Sequence, residues 1–426
     1  MVHLSTSLLL SQGADSLAQH PHVKSFRLYM GCGRHERVVE NVAQELQKMV
    51  RLEELFLVSV DREGRAHSEH LLQLLRAPSL RKLTLRHLGD QPGLSSDKSL
   101  TIFLEQNKRI RILSLQFTNP HPDYLRSLLS SKSELQSLRL FSCSIYREHG
   151  KALAKLIRHR ALEELALLDL DMDNCVAQEL AMALQSPTSS VRMLVITSSL
   201  LQRMFGNHLQ GLHVEELNIE IRRIDPALEL FGELNTIHRE IGKLTLMACP
   251  KRLEADQQNA VFEAIRDTTT REVHLDGLFH KSKTSTQLLA EALMASRNVR
   301  SLTLSIEMVH VEEFCRYLPR MRRLLHMGWK GVFPWTREVC QSMNHAVTQS
   351  SSLVRVDFEL APFMRYSQLN LDEMKRSCRR NIASMLILDY ETPSSAWPSL
   401  LALLPLDSMY TLLTQRVDIL SVRHCR

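Results

Sequence analysis

The chain has 426 residues, 44% hydrophobic, 23% charged and 5% aromatic, with a formal net charge of +6. That apolar share excludes a disordered chain, and no uninterrupted apolar run reaches the roughly 18 residues that a membrane-spanning helix needs. A mildly basic balance spread over the whole length weighs against nucleic acid as a partner, because such binders cluster their cations on one element.

Residues 1–22 precede the first strand pattern and are expected to form an N-terminal segment or partial cap. They hold Leu8-Leu9-Leu10 but no basic flank, so no secretory signal is expected. From Val23 one pattern recurs, with apolar residues at its first, fourth and sixth positions. Good copies stand at Leu52/Leu55/Leu57, Leu80/Leu83/Leu85, Leu135/Leu138/Leu140 and Leu162/Leu165/Leu167. Variants stand at Val23/Phe26/Leu28, Ile110/Leu113/Leu115, Val191/Leu194/Ile196, Val214/Leu217/Ile219, Ile241/Leu244/Leu246, Val299/Leu302/Leu304 and Leu353/Val356/Phe358. Thr270/Val273/Leu275 lacks its first apolar residue, and Met321/Leu324 lacks its last.

That makes about thirteen copies, whose starts lie 22 to 32 residues apart. The alternation at the end of each copy is strand periodicity with one face buried. The spacers hold amphipathic helices, expected at Glu36–Met49, Glu148–Arg158, Ala255–Arg266 and Thr284–Ala295. Around Leu200–Leu212 the spacer shortens, and only a short helix is expected there. A unit of this size, repeated, predicts a solenoid in which each copy buries its apolar face against its neighbours.

These residues resemble leucine-rich repeats of the long, ribonuclease-inhibitor-like type. The resemblance covers roughly Val23 to Pro362. It implies an α/β horseshoe with parallel strands on the concave side, helices on the convex side and a helical C-terminal cap. The family carries Asn or Cys three positions after the last strand leucine. Cys143 and Cys249 stand there, whereas Val60, Leu88, Thr118 and Ser199 occupy the place in other copies. The expected organisation is therefore 1–22 N-terminal segment, 23–362 repeats and 363–426 cap.

In the cap, Asp372-Glu373 opens a helix expected to run to Leu386, and Asp407–Arg416 is a second. Arg380-Asn381, Trp397 and Tyr410-Thr411-Leu412-Leu413 are also similar in kind to the tail of some microalgal leucine-rich-repeat proteins. Lys375, Arg376, Arg379 and Arg380 form the densest basic run, expected as a solvated helix face. The eight cysteines lie far apart, with no CxxC pair. That usage points to a reducing, intracellular compartment, cytoplasm or nucleus.

Residues at the third, fifth and seventh positions of each copy are expected to line the concave face. Arg27, Tyr29, Phe56, Lys82, Arg86, Arg139 and Phe141 make its N-terminal part basic and aromatic. Glu164, Glu216, Glu220, Glu272 and Asp276 make the later part acidic. Such a face would steer a complementary protein partner, with Tyr29, Phe56 and Phe141 as anchors. Trp329, Phe333 and Trp335 form the one dense aromatic patch, either an exposed contact loop or core filling.

No catalytic set stands in the sequence. It holds no GxxxxGK[ST] and no GxSxG, and His35-Glu36-Arg37-Val38-Val39 lacks the second histidine of a zinc helix. His20/His22 and His67/His70 have no third ligand at useful spacing. No metal, cofactor or catalytic residue is expected. The reading is a monomeric, non-catalytic protein-interaction scaffold. The alternatives are a ubiquitin-ligase substrate receptor whose F-box module is missing, and a GTPase activator of the Ran-activating repeat type.

Overall fold

The computed structural model describes residues 2–5, 23–30, 36–59, 62–87, 98–116, 134–159, 162–206, 209, 211–221, 241–248, 253–279, 281–305, 307, 309–331, 336–360, 370–388 and 397–404. Two units divide the chain, Met1–Leu230 and Phe231–Arg426. Each is a run of parallel strands alternating with helices, the leucine-rich-repeat arrangement.

The first unit contains β1 (Val2–Ser5), β2 (Ser25–Met30), β3 (Glu54–Ser59), β4 (Lys82–His87), β5 (Ile112–Gln116), β6 (Ser137–Phe141), β7 (Ser144–Ile145), β8 (Glu164–Leu168), β9 (Asp171–Met172), β10 (Met193–Thr197) and β11 (Glu216–Ile221). Its sheet runs in sequence order, with the two-residue β7 and β9 paired separately. Between the strands lie α1 (Glu36–Lys48), α2 (Arg62–Leu74), α3 (Lys98–Gln106), α4 (Arg147–His159), α5 (Asn174–Leu184) and the short α6 (Ser198–Phe205). The second unit contains β12 (Lys243–Ala248), β13 (Glu272–Asp276), β14 (Ser301–Ser305), β15 (His326–Gly331) and β16 (Arg355–Leu360), again parallel and in order. Its helices are α7 (Ala255–Asp267), α8 (Lys283–Ala295), α9 (Val311–Tyr317), α10 (Arg337–Gln349), α11 (Leu371–Leu388) and α12 (Trp397–Leu401).

Strands form where the leucine pattern lies because alternate side chains can be buried on one side only. Leu55, Leu83, Leu113, Leu138, Leu165 and Leu194 share one cross-strand row. All are at most 1% exposed. The intervening residues Phe56, Arg139 and Val195 stay partly exposed. Helices cover the apolar side: α4 buries Ala152, Leu153, Leu156 and Ile157 while Glu148, Lys151 and Lys155 face water. Among the described residues, no helix lies on the other side of each sheet, whose strand residues include many that are partly exposed.

Register is held by a repeated stitch. The carbonyl of Glu53 accepts from both Arg81 and Lys82 N–H, that of Arg81 from Arg111 and Ile112, and that of Gln136 from Glu163 and Glu164. In the second unit, Arg300 O accepts from Leu325 and His326, and Leu325 O from Val354 and Arg355. Side chains add a second ladder that the leucine pattern does not reveal. The hydroxyls of Ser79, Ser190 and Ser352, each just before a repeat's first apolar residue, donate to Leu52, Leu162 and Met321 carbonyls one repeat back. Cys143 fills the expected ladder place, its Sγ 3.6 Å from Leu115 O and 3.2 Å from Phe141 O. Cys249 lies outside the described residues.

One expectation changes, and one strand is added to the pattern. The segment before Val23 contributes β1, which pairs with β2 from Val2 opposite Phe26 to Ser5 opposite Tyr29. The copy assigned to Met321/Leu324 is displaced by three residues. Its strand is β15, so its apolar positions are Leu324, Met327 and Trp329. With that start, the neighbouring copies at Val299 and Leu353 lie 25 and 29 residues away (324 − 299 and 353 − 324), closer to the rest. Trp329 is therefore not on a loop. It takes the sixth-position core slot at 1% exposure, opposite Leu304 and Phe358. Phe333 and Trp335 lie outside the described residues.

Candidate partner-binding face

The open face of the first unit is built from strand positions that alternate with the buried leucines. One cross-strand row runs Ser25, Glu54, Lys82, Ile112, Ser137, Glu164, Met193 and Glu216. The next runs Arg27, Phe56, Thr84, Ser114, Arg139, Ala166, Val195 and Asn218. Tyr29, Val58, Arg86, Gln116, Phe141 and Leu168 form a third. Every candidate from the sequence in this unit thus stands on one face. Arg27, Tyr29, Phe56, Lys82, Arg86, Arg139, Phe141, Glu164 and Glu216 are partly exposed. Glu220 is buried at 9%, and that burial raises its carboxyl above the usual range.

The charges do not separate as a list of residues suggests. Lys82 Nζ lies 3.6 Å from Glu54 Oε1 on the adjoining strand. Arg139 Nε stands 2.7 Å from Glu164 Oε1, its Nη2 donates to Oε2 at 3.1 Å, and Ser137 donates to the same oxygen at 3.0 Å. Two of the four cations are thus already matched by acids of the same face. Arg27 differs. Its guanidinium lies over the Phe56 ring at 4.2 Å, and its Nε has no hydrogen-bond partner among the described residues. Tyr29 is on the same strand, two residues along. A partly exposed guanidinium held flat on an aromatic ring is a fixed positive point on this face.

The second unit's face carries Glu272 and Asp276, each partly exposed and each near a lysine. Lys243 Nζ is 3.9 Å from Glu272, and Lys330 Nζ is 3.5 Å from Asp276. Beside them runs a line that the sequence did not reveal. Ser301 Oγ is 2.8 Å from His326 Nδ1, and His326 Nε2 is 2.9 Å from Asp357 Oδ2. Burial opposes ionisation of Asp357, but hydrogen bonds from Arg355, 2.7 Å away, and His326 outweigh it and hold its carboxyl below the usual range. The displaced start of the Leu324 copy had hidden His326. Moving that start by three residues puts His326, Gly328 and Lys330 on the open face.

Ser, His and Asp in line invite comparison with acyl-transfer sites, but the surroundings differ. Acyl transfer needs amide donors aimed at a developing oxyanion. The backbone around Ser301, His326 and Asp357 is committed to the parallel ladder, in which Ser301 pairs with His326 and His326 with Arg355. The cluster acts as a fixed polar brace across three strands. No group of three or more metal-ligating side chains stands together among the described residues, and no described helix is long and apolar enough to cross a membrane.

No family model matches the sequence, and no curated protein matches it. Among solved structures, the chain is similar to the leucine-rich repeat-containing protein LegL7 from Legionella pneumophila. The two share 14% identity over 82% of this chain and 97% of that one, with a TM-score of 0.39. The fold assignment rests on the chain's own spacing, register and burial.

Proposed function

We propose that the chain is a non-catalytic scaffold that captures a protein partner on its open strand faces. The observation that carries this reading is the Arg27–Phe56 stack beside Tyr29 on a face that no described helix covers. Solenoids use such extended faces for binding, and an arginine with aromatic neighbours is the composition of interface hot spots. Phe141 would extend the apolar contact, and Arg86 would lie at its rim. Lys82, Arg139, Glu164 and Glu216 would set register through charge. On the second unit, Glu272 and Asp276 would offer acids to the same partner or another.

Proximity labelling with mass spectrometry tests this, comparing wild type with an Arg27→Glu/Phe56→Ser variant. Lys82 and Arg139 are left intact because reversing them would break pairs within the face. The expected outcome is one set of proteins enriched by wild type and lost in the variant at equal abundance. An unchanged set would move the binding surface away from Arg27 and Phe56.

A further inference from the structure

The strand-entry edge of the second unit gathers cations that have no acidic partner among the described residues. Six arginines stand on the turns that lead into three successive strands: Arg271 before β13, Arg297 and Arg300 before β14, and Arg320, Arg322 and Arg323 before β15. All six are exposed. Asp267, which ends α7 on the same edge, is held by its neighbour Arg266 at 3.0 Å. The corresponding edge of the first unit is wired differently. Lys24, Arg111 and Arg192 occupy the repeat's second position, as Arg271 and Arg300 do. Each has a glutamate of the next turn beside it, Glu53 at 3.4 Å, Glu134 at 3.3 Å and Glu215 at 3.8 Å. Among the described residues, Arg81 alone of that series lacks one. Like charges gathered without counter-charges repel one another and burden the folded state. A ligand that brings negative charge to the second unit's edge relieves that repulsion.

The turns are tied together. Arg323 Nη1 donates to Arg297 O at 2.9 Å, and Arg300 Nη1 donates to Arg323 O at 3.4 Å. Each of these guanidiniums is thereby placed, with most of its five donors left for a ligand. Beside them lies a cleft of about 200 Å³. Leu293, Val299, Met321 and Leu324 in its lining are 3–7% exposed, and Arg320, Arg322 and Arg323 line it as well. Size and chemistry together select the ligand. Cofactor pockets run from about 300 Å³ upward, so this cleft suits a single apolar side chain. No aromatic ring lines it, so it offers no platform for the stacked bases of a nucleic-acid strand. None of the exposed large hydrophobic residues among those described stands on these turns, as an edge that enters a bilayer would need. We propose that this edge binds an acidic peptide segment of a partner protein. One apolar side chain of the segment fills the cleft, and carboxylates on either side of it pair with Arg300, Arg320, Arg322 and Arg323. Arginine forks hold carboxylates through paired, directional hydrogen bonds, which fixes the segment's register on the edge.

This edge belongs to the other unit from the Arg27–Phe56 stack, so either reading can fail alone. The test is fluorescence anisotropy on the full-length protein at physiological salt. The probe is a fluorescein-labelled peptide with one leucine centred in a run of glutamates. Arg320→Gln/Arg322→Gln should weaken its binding about tenfold or more. Both side chains are exposed and make no hydrogen bond among the described residues, so the variant should keep the wild-type Tm. Arg51→Gln/Arg81→Gln removes the same charge from the first unit's edge and should leave the Kd unchanged. Alanine in place of the probe's leucine should weaken binding about fivefold. No binding of the probe by wild type, no loss in Arg320→Gln/Arg322→Gln, or equal loss in both double variants overturns the proposal. So does equal binding of the leucine and alanine probes, which would leave the cleft empty. Oligothymidylate and phosphatidylserine vesicles are the rival ligands. Tighter binding of either than of the probe would assign the edge to a nucleic acid or a membrane surface instead.

Discussion

Trp329 stands edge-on to Phe314, with ring centroids 5.6 Å apart and planes at 86°. Phe314 comes from α9 and is 0% exposed, Trp329 from β15 at 1%. The pair joins the strand layer to the helix layer, in the geometry that aromatic quadrupoles favour. Trp329→Ala should therefore lower stability by about 3–5 kcal/mol, read as a shift in urea midpoint. A tryptophan on an exposed loop would cost less than about 0.5 kcal/mol, so the measurement separates the two placements.

That residue also explains why the sequence places one repeat three residues early. Met321 and Leu324 are three apart and mimic a first and fourth position, whereas Met327 and Trp329 are residue types that no other named copy carries at its fourth and sixth positions. Elsewhere the pattern was legible because burial alternates so regularly. β2, β4, β6 and β13 fall where their leucines, valines and Phe26 place them, and α11 starts within a residue of the expected helix. β1 is not legible because Val2 and Leu4 are only two apolar positions, too few to read as a copy. The serine ladder of Ser79, Ser190 and Ser352 was missed for a different reason. A hydroxyl bonded one repeat back leaves no trace in hydropathy.

Asn107 plays a comparable bridging role. It is 4% exposed. Its Oδ1 accepts from Ala77 N–H at 2.9 Å, and its Nδ2 donates to Leu75 O at 3.2 Å and Phe103 O at 2.8 Å. All three partners sit near helix ends with few alternatives. Asn107→Ala should cost about 2–4 kcal/mol. Faster hydrogen exchange at Ala77 would identify the turn after α2 as the place that opens.

Gly277 follows β13 with φ +66°, and a Cβ there would meet Ala248 O at 3.0 Å. Ser142 and Asp169 leave β6 and β8 at φ 48° and 52°, so the chain turns left-handed after all three strands. Gly277 alone of these combines that turn with close approach to a backbone carbonyl. Gly277→Ala is expected to lower stability by about 1–2 kcal/mol, visible as a lower Tm.

The charges on the open face were legible as a list but not as pairs. Glu54 and Lys82 are both third positions of adjacent copies, and so are Lys243 and Glu272; the register alone brings them together. Arg139 and Glu164 meet on a diagonal, which needs side-chain reach as well as register. A double-mutant cycle on Arg139→Ala and Glu164→Ala should give a coupling of about 0.5–1 kcal/mol. For Lys82 and Glu54, longer and more exposed, the cycle should fall below that. Equal couplings would mean that solvent screens both pairs alike.

Glu220 offers a pH test of burial against charge. Its carboxyl is raised because burial penalises the anion. A raised carboxyl binds its proton more tightly folded than unfolded. The stabilising contribution of the protonated form is fully present below the unfolded value, about pH 4.3, and is lost as pH rises through the folded value. At pH 7 the native state therefore bears the cost of a buried anion. Glu220→Gln keeps the shape and removes that cost, so its Tm should exceed wild type by about 1 °C at pH 7, and the difference should vanish as pH falls to 4. A variant less stable than wild type at pH 7 would mean that the carboxylate's own contacts outweigh its desolvation. Thr197, opposite Glu220 on β10, would be the first residue to examine for such a contact.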